Sequence, residues 1–247
     1  YWAAGLWQSE GVFLIAMDPA TGQVLWTNSS AAQIEMPQPH GGANARSGVT
    51  AQGYLVATAD QLFVPTGRAV PAALARADGV FQYYRLQENG QRGGTGVMAS
   101  GPFFYNGGFA FEAATGVASP APIAGVVCRF AAGVIHGAKD QLRALEPVRR
   151  EAPDRTGKPV LRLDHQLLWE VPSVPAGTAL IAAGSTIVSA GAAKIATVDA
   201  ASREVLWTAD VDDTAYGLAV ADGCLYVSTA SGAIHCFAAA SADDPVV

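Results

Sequence analysis

The sequence predicts an all-β fold, assembled from one antiparallel unit that recurs about six times. Three observations carry that expectation. Glycine and proline, 27 and 14 residues, are spread along the chain rather than pooled, as many tight turns between short strands require. The apolar runs are short and rich in β-branched and aromatic side chains, and no long window shows the 3.6-residue period of a helix. The third is self-similarity at a regular interval.

The first copy is complete. "AMDPATGQVLW" places Ala16, Asp18, Thr21, Gly22 and Trp26 in the pattern A-x-D-x-x-T-G-x-x-x-W. "ALARADGVFQY" follows from Ala73, with Asp78, Gly79 and Tyr83; "AALARA" within it has helical propensity, but its register makes it a strand. "AFEAATG" supplies Glu112, Thr115 and Gly116. A fourth copy opens at "ALE", Ala144 to Glu146, and resumes only at "LLWEV", which carries Trp169. "TVDAASREVLW" repeats the first copy with Asp199, Ser202 and Trp207, and "IHCFA" begins a sixth. An apolar run ending in a glycine turn precedes each copy: "YWAAG", "QLFVPTG", "GPFFYNGG", "GVIHGAKD", "TIVSAGAAK" and "CLYVSTASG".

Counted at the Asp-equivalent position (18, 75, 112, 146, 199 and 238), the spacings are 57, 37, 34, 53 and 39 residues, 44 on average. That is the length of a four-stranded β-propeller blade. The first blade lacks its leading strand and the last its closing one. Two long spacings require insertions, Ser29–Gly48 and Pro147–Gln166. The second, with Arg149, Arg150, Arg155, Lys158 and Arg162, reads as a solvated loop or, alternatively, a docking arm. An unpaired strand edge invites aggregation, so either residues 1–5 and the C-terminus complement each other or one or two further blades complete a seven- or eight-bladed ring. The start at Tyr1, inside a strand and without Met, reads as a piece of a longer chain.

The motif has a structural explanation. An Asp carboxylate accepts backbone N–H bonds two residues on, Thr does so more weakly, and Gly supplies the positive φ. The small residue before the Asp leaves room for the Trp, which fills the gap between adjacent blades. Burying an indole removes about 200 Å² from water. The chemistry of Asp18, Thr21 and Trp26 is therefore spent on folding.

Following an apolar strand and a glycine turn, this motif resembles the repeat of PQQ-like β-propeller proteins. The resemblance covers nearly the whole chain and implies one propeller domain over 1–247. The family includes quinoprotein alcohol dehydrogenases and the propeller subunit of the outer-membrane assembly machinery; the pattern here is closer to the non-enzymatic branch. It implies a binding or scaffolding module for a protein partner, a fused domain or a small ligand in the central channel. A quinone-dependent oxidoreductase and a carbohydrate-binding or lyase-type propeller are the alternatives. Periplasmic or cell-surface placement follows from the resemblance alone.

Enzymatic family members pair adjacent cysteines against pyrroloquinoline quinone and hold Ca²⁺ in carboxylate or Asn ligands. Cys128, Cys224 and Cys236 are not adjacent, and no acidic pair stands out as a calcium cage. No cofactor is expected; the quinone with Ca²⁺ belongs only to the alternative. Cys224 and Cys236 flank one hairpin, as two free thiols or as a disulfide. His40, His136, His165 and His235 fit no zinc spacing, and His235 alternates with apolar residues as a satisfied, partly buried imidazole would. Asp212, Asp213, Asp243 and Asp244 read as solvated acids.

In a propeller the loops joining second and third strands share a face with the blade-to-blade loops, where ligands and partners usually sit. On this register the face presents Trp7, Gln8, Arg68, Tyr105, Asn106, Lys139 and Lys194, and the first insertion adds His40, Asn44 and Arg46. Four of these groups are basic, which favours an anionic ligand or partner. The whole chain carries a net charge of −6, which argues against nucleic acid, and no apolar run reaches the length of a membrane span.

Overall fold

A computed structural model describes residues 1–5, 11–37, 43–46, 48–67, 70–85, 93–131, 133–153 and 156–238. The fold is an all-β propeller of antiparallel blades. The first sheet has three strands, β1 (Trp2–Ala4), β2 (Phe13–Met17) and β3 (Val24–Asn28). A short 3₁₀ turn, Ser30–Gln33, and a hairpin of β4 (Glu35–Pro37) and β5 (Asn44–Arg46) occupy the first insertion. The second sheet is β6 (Val56–Ala57), β7 (Gln61–Val64), β8 (Val70–Ala75) and β9 (Phe81–Arg85). The third is β10 (Val97–Ser100), β11 (Phe103–Asn106), β12 (Phe109–Glu112) and β13 (Ala118–Pro122). The fourth holds β14 (Val126–Phe130), β15 (Gly133–Ala138), β16 (Gln141–Pro153) and β17 (Pro159–Pro172). The fifth holds β18 (Ala179–Ala183), β19 (Thr186–Gly191), β20 (Lys194–Asp199) and β21 (Val205–Asp210). The last returns to three strands, β22 (Ala215–Ala221), β23 (Cys224–Thr229) and β24 (Ile234–Ala238). The strands expected to be missing from the first and last blades are absent among the described residues, and the ambiguous "AALARA" is strand through Ala75.

The repeat motif makes one turn four times. In each, the N–H of the Asp-equivalent residue donates to the residue five on, and the N–H four on donates back. Asp18 pairs so with Gln23 and Gly22, Ala75 with Val80 and Gly79, Glu112 with Val117 and Gly116, and Asp199 with Glu204 and Arg203. Asp18 Oδ1 also accepts from Ala20 N (2.8 Å) and Thr21 N (3.1 Å), while Asp199 Oδ1 accepts from Ala201 N (3.0 Å) and Ser202 N (2.7 Å). These bonds favour the ionised form and hold both carboxyls below the usual range. In the second copy the carboxylate has moved: Ala75 stands at the Asp position, and Asp78, at the Thr position, accepts from Val80 N at 3.0 Å. Thr115 Oγ1 takes that same bond from Val117 N, as Thr21 Oγ1 does from Gln23 N.

Trp26 wedges where the sequence places it. It lies opposite buried Ala16 across β2 and β3, and its Nε1 donates to Arg76 O at 3.0 Å in the next turn. A Cβ on Gly79 would come within 2.4 Å of the Trp26 ring, so this glycine makes room for the indole as well as supplying φ +72. Tyr83 repeats the contact one blade on. Its hydroxyl donates to Ala113 O at 2.6 Å, the equivalent carbonyl, and its ring covers Gly116. Trp169 packs against the core that also contacts Ala200 in the fifth-blade turn, and Trp207 meets Phe237 edge-on at 5.0 Å.

The described residues of the Pro147–Gln166 insertion are mostly strand rather than loop. They extend β16 and β17 into a long antiparallel ribbon, with Glu146 inside the strand where a turn was expected. Arg143–Glu170 (2.8 Å) and Arg150–Asp164 (3.6 Å) bridge its strands at partly exposed positions, where each pair adds little stability.

The chain divides into two compact units, 1–123 with 151–163, and 124–150 with 164–247. In the first, one core joins Leu14, Ala31, Leu62, Val64 and Leu74, and another joins Phe63, Ala73, Phe104 and Phe111. Ser119 Oγ donates to Leu163 O in the same unit. In the second, Ile135, Leu142, Val171, Leu180 and Ile187 form one core, and Val188, Ile195, Leu225 and Val227 another.

Candidate functional site

Trp7, Gln8, His40 and Arg68 lie outside the described residues. Asn44 and Arg46 are exposed on the β4–β5 hairpin. Lys139 is exposed in the β15–β16 turn with φ +56, and Lys194 is exposed at the start of β20, 3.7 Å from Asp210. Tyr105 and Asn106 are placed otherwise than the sequence suggested. They belong to β11, at 2% and 3% exposure, and the turn is made by Gly107 and Gly108 after them. Burial pushes the Tyr105 phenol upward. Asn106 Nδ2 donates to Gly94 O (3.0 Å) and Gly96 O (2.8 Å), pinning the segment that enters β10.

Register explains these buried polar residues. Strand pairing puts Asn106, His136 and Ser189 at one position of the second strand in three successive sheets. All three are buried, and His136 Nε2 donates to Ala124 O at 2.9 Å, ahead of β14, as Asn106 does ahead of β10. In the third and fourth sheets the position fastens the loop leading into the sheet, whereas the buried Ser189 Oγ in the fifth has no hydrogen-bond partner.

Two other features came without warning from the sequence, and both are in the last sheet. Asp212, expected to be a solvated loop acid, accepts hydrogen bonds from Ser231 Oγ and from His235 Nε2, the latter at 2.6 Å. The two bonds, from Ser231 first and His235 second, hold its carboxyl at about 2. His235 stacks on Phe237 at 6.1 Å, and Phe237 meets Trp207. The arrangement is a clamp: Ser231 Oγ and His235 Nε2 both donate hydrogen bonds to one ionised carboxylate, tying the β23–β24 turn and β24 to the segment ahead of β22.

The second feature is the opposite face of the same sheet. Antiparallel register aligns three rows across it: Gly217–Ser228–Ile234, Ala219–Tyr226–Cys236 and Ala221–Cys224–Ala238. No residue in these rows carries a charge at neutral pH, and seven of the nine are exposed, Ile234 at 74%. The reverse face, through Leu218, Leu225, Val227 and Phe237, is packed into a core. The first sheet also has an exposed apolar face, which includes Trp2 (56%), Phe13 and Met17.

The residues present do not fit a calcium–quinone pair. Among the described residues no three His, Cys, Asp or Glu side chains converge as metal ligands, and none of the three cysteines is in a disulfide. No described helix is long and apolar enough to cross a membrane.

Residues 154–244 match the family model described as outer membrane protein assembly factor BamB. The resemblance read from the repeat is borne out over that span. Among curated proteins nothing matches the chain. Solved structures are similar in fold. A chain of the Mitotic Checkpoint Complex aligns with a TM-score of 0.57 at 8% identity, covering 96% of this chain and 70% of that one. The computationally designed Ika8 protein aligns at 0.53 and 16% identity, covering 96% and 70%. The β-propeller domain of Cps50 (Swd1) from Myceliophteria thermophila aligns at 0.50 and 15% identity, covering 82% and 71%.

Proposed function

We propose that this PQQ-like β-propeller is a non-catalytic scaffold that binds a protein partner through the uncharged face of its last sheet. The observation that carries the proposal is the three-row face on β22–β24, wide, apolar and exposed beside an outer strand that no fourth strand covers among the described residues. Contiguous exposed apolar surface of this kind is characteristic of interaction sites, and an open strand edge adds main-chain hydrogen bonding to what a partner can use. The BamB-like match over 154–244 supports the same reading and, with it, a periplasmic or cell-surface location and a single propeller domain. Asp212 and His235, on the reverse side, brace β24 without taking part in binding.

Photo-crosslinking tests this. A crosslinker installed at Ala219 in the full-length protein, expressed in its own cells, is expected to capture a discrete second protein. Ala219→Lys buries a charge in any such contact and is expected to abolish the capture while changing stability by no more than about 0.5 kcal/mol. Crosslinks confined to the chain itself, or capture undiminished by Ala219→Lys, would overturn the proposal.

A further inference from the structure

We propose that Cys224 and Cys236 are a dithiol site that closes into an intramolecular cross-strand disulfide on the exposed face of the last sheet. The register sets the pair. Cys236 stands directly opposite Tyr226, and Cys224 lies two residues before Tyr226 on the same strand, so all three side chains share one face. The two thiols are diagonal neighbours on that face, near enough to one another and to Tyr226 for each to influence the others' ionisation. Diagonal cross-strand neighbours stand about 7–8 Å apart, so closing the bond to about 2.05 Å needs side-chain rotation and a local shift of the edge strand β24 toward β23.

Access differs among the three cysteines. Cys236 is exposed and Cys224 half-buried on the open face. Cys128 packs against a core on another sheet, where burial pushes its thiol up to about 12. Local desolvation, and then the Cys224 neighbour, push the Cys236 thiol upward as well, so it is access that selects the pair and spares Cys128, because disulfide exchange needs a reachable sulfur.

A low-molecular-weight disulfide supplies the oxidant. The Cys236 thiolate attacks one of its sulfurs, forming a mixed disulfide and releasing one thiolate. Cys224, as thiolate, attacks Cys236 Sγ, forms the Cys224–Cys236 bond and displaces the second. Two protein thiols lose two electrons, the reagent's S–S bond gains them, and the two thiol protons end on the two released thiols. The product ties β24 to β23 at the outer margin of a sheet whose other edge strand is β22.

The test is incubation of the folded chain with oxidised glutathione, followed by denaturation, alkylation of remaining thiols and mass spectrometry. The protein contains three cysteines; the expected product has one alkylated thiol (Cys128), one crosslinked peptide joining Cys224 to Cys236, and no bound glutathione. Cys224→Ser is expected to stop at the first step and keep a single glutathione on Cys236. Three alkylated thiols in the wild-type chain, glutathione retained there on Cys236, or a disulfide-linked dimer overturns the assignment. The wild-type result decides this by itself should a variant not fold.

Discussion

The inner strands of the four-stranded sheets and the middle strands of the two three-stranded ones share hairpin chemistry and differ in what covers them. β7, β11, β15 and β19 are buried at consecutive positions, so both faces are packed. β2 and β23 alternate buried with exposed. Consecutive burial demands side chains such as Leu62-Phe63-Val64 or Phe103-Phe104-Tyr105, the continuous apolar runs of strands enclosed on both sides. Alternation leaves one face to water or to something else. In a repeat whose turns and wedges are devoted to folding, the break in that burial pattern is where a function can attach.

The largest expected effect comes from removing a side chain that both faces need. Phe104 is fully buried, stacked on Phe111 at 4.9 Å and beside Phe63 at 4.8 Å. Phe104→Ala is expected to cost about 3–5 kcal/mol in urea unfolding, against the near-neutral Ala219→Lys on the open face; equal losses would erase the distinction. The turns allow a finer comparison. Gly22 and Gly79 have φ of +73 and +72, but a Cβ meets nothing within 4 Å at Gly22 and meets the Trp26 ring at Gly79. Gly22→Ala is expected to cost about 1 kcal/mol for the left-handed backbone alone, and Gly79→Ala about 2 kcal/mol more for the displaced indole. Matching losses would mean the ring contact contributes nothing.

Arg203 fills the same position in the fifth-blade turn with φ +66, where three other copies have Gly. Arg203→Gly is expected to raise stability by about 0.5–1 kcal/mol, read as an increased urea midpoint with an unchanged slope. The smallest effect concerns Asp212. Its depressed pKa makes a contribution that is complete above the ordinary carboxyl range and lost as pH falls toward about 2. Asp212→Asn is expected to lower stability at pH 6, with the difference shrinking steadily as pH falls through 4 toward 2, monitored by circular dichroism. A difference that did not shrink over that range would show that the carboxylate's charge is not its source.

The repeat was legible because its turn is written in local chemistry. Asp18, Thr21 and Gly22 serve one another within five residues, so the sequence alone displays the hydrogen bonds. The ribbon of β16 and β17 was not legible for the complementary reason. Glu146 is followed by Pro147 and not by a turn sequence, and an Arg- and Pro-rich stretch reads as loop unless its pairing partner is known. "FFYNGG" misled by one step: Asn106 has turn propensity, but the two glycines after it already make the turn, which leaves Asn106 free to be buried. The Asp212–His235 clamp joins residues 23 apart through strand pairing, and nothing within either segment announces it. The outward face of β22–β24 was hidden because period-two alternation tells which residues share a side, while the presence of a neighbour on that side is a tertiary fact.

The wedge contacts have one more consequence. Trp26 and Tyr83 reach a backbone carbonyl and a glycine, features that the turn offers in every copy but the fifth-blade one, where Arg203 replaces the glycine. The joint to a glycine-bearing turn is thus generic, like a standard coupling. A tandem duplication of one such segment would arrive with its joint already made, so the chain could gain or lose a blade by recombination without a new interface having to evolve.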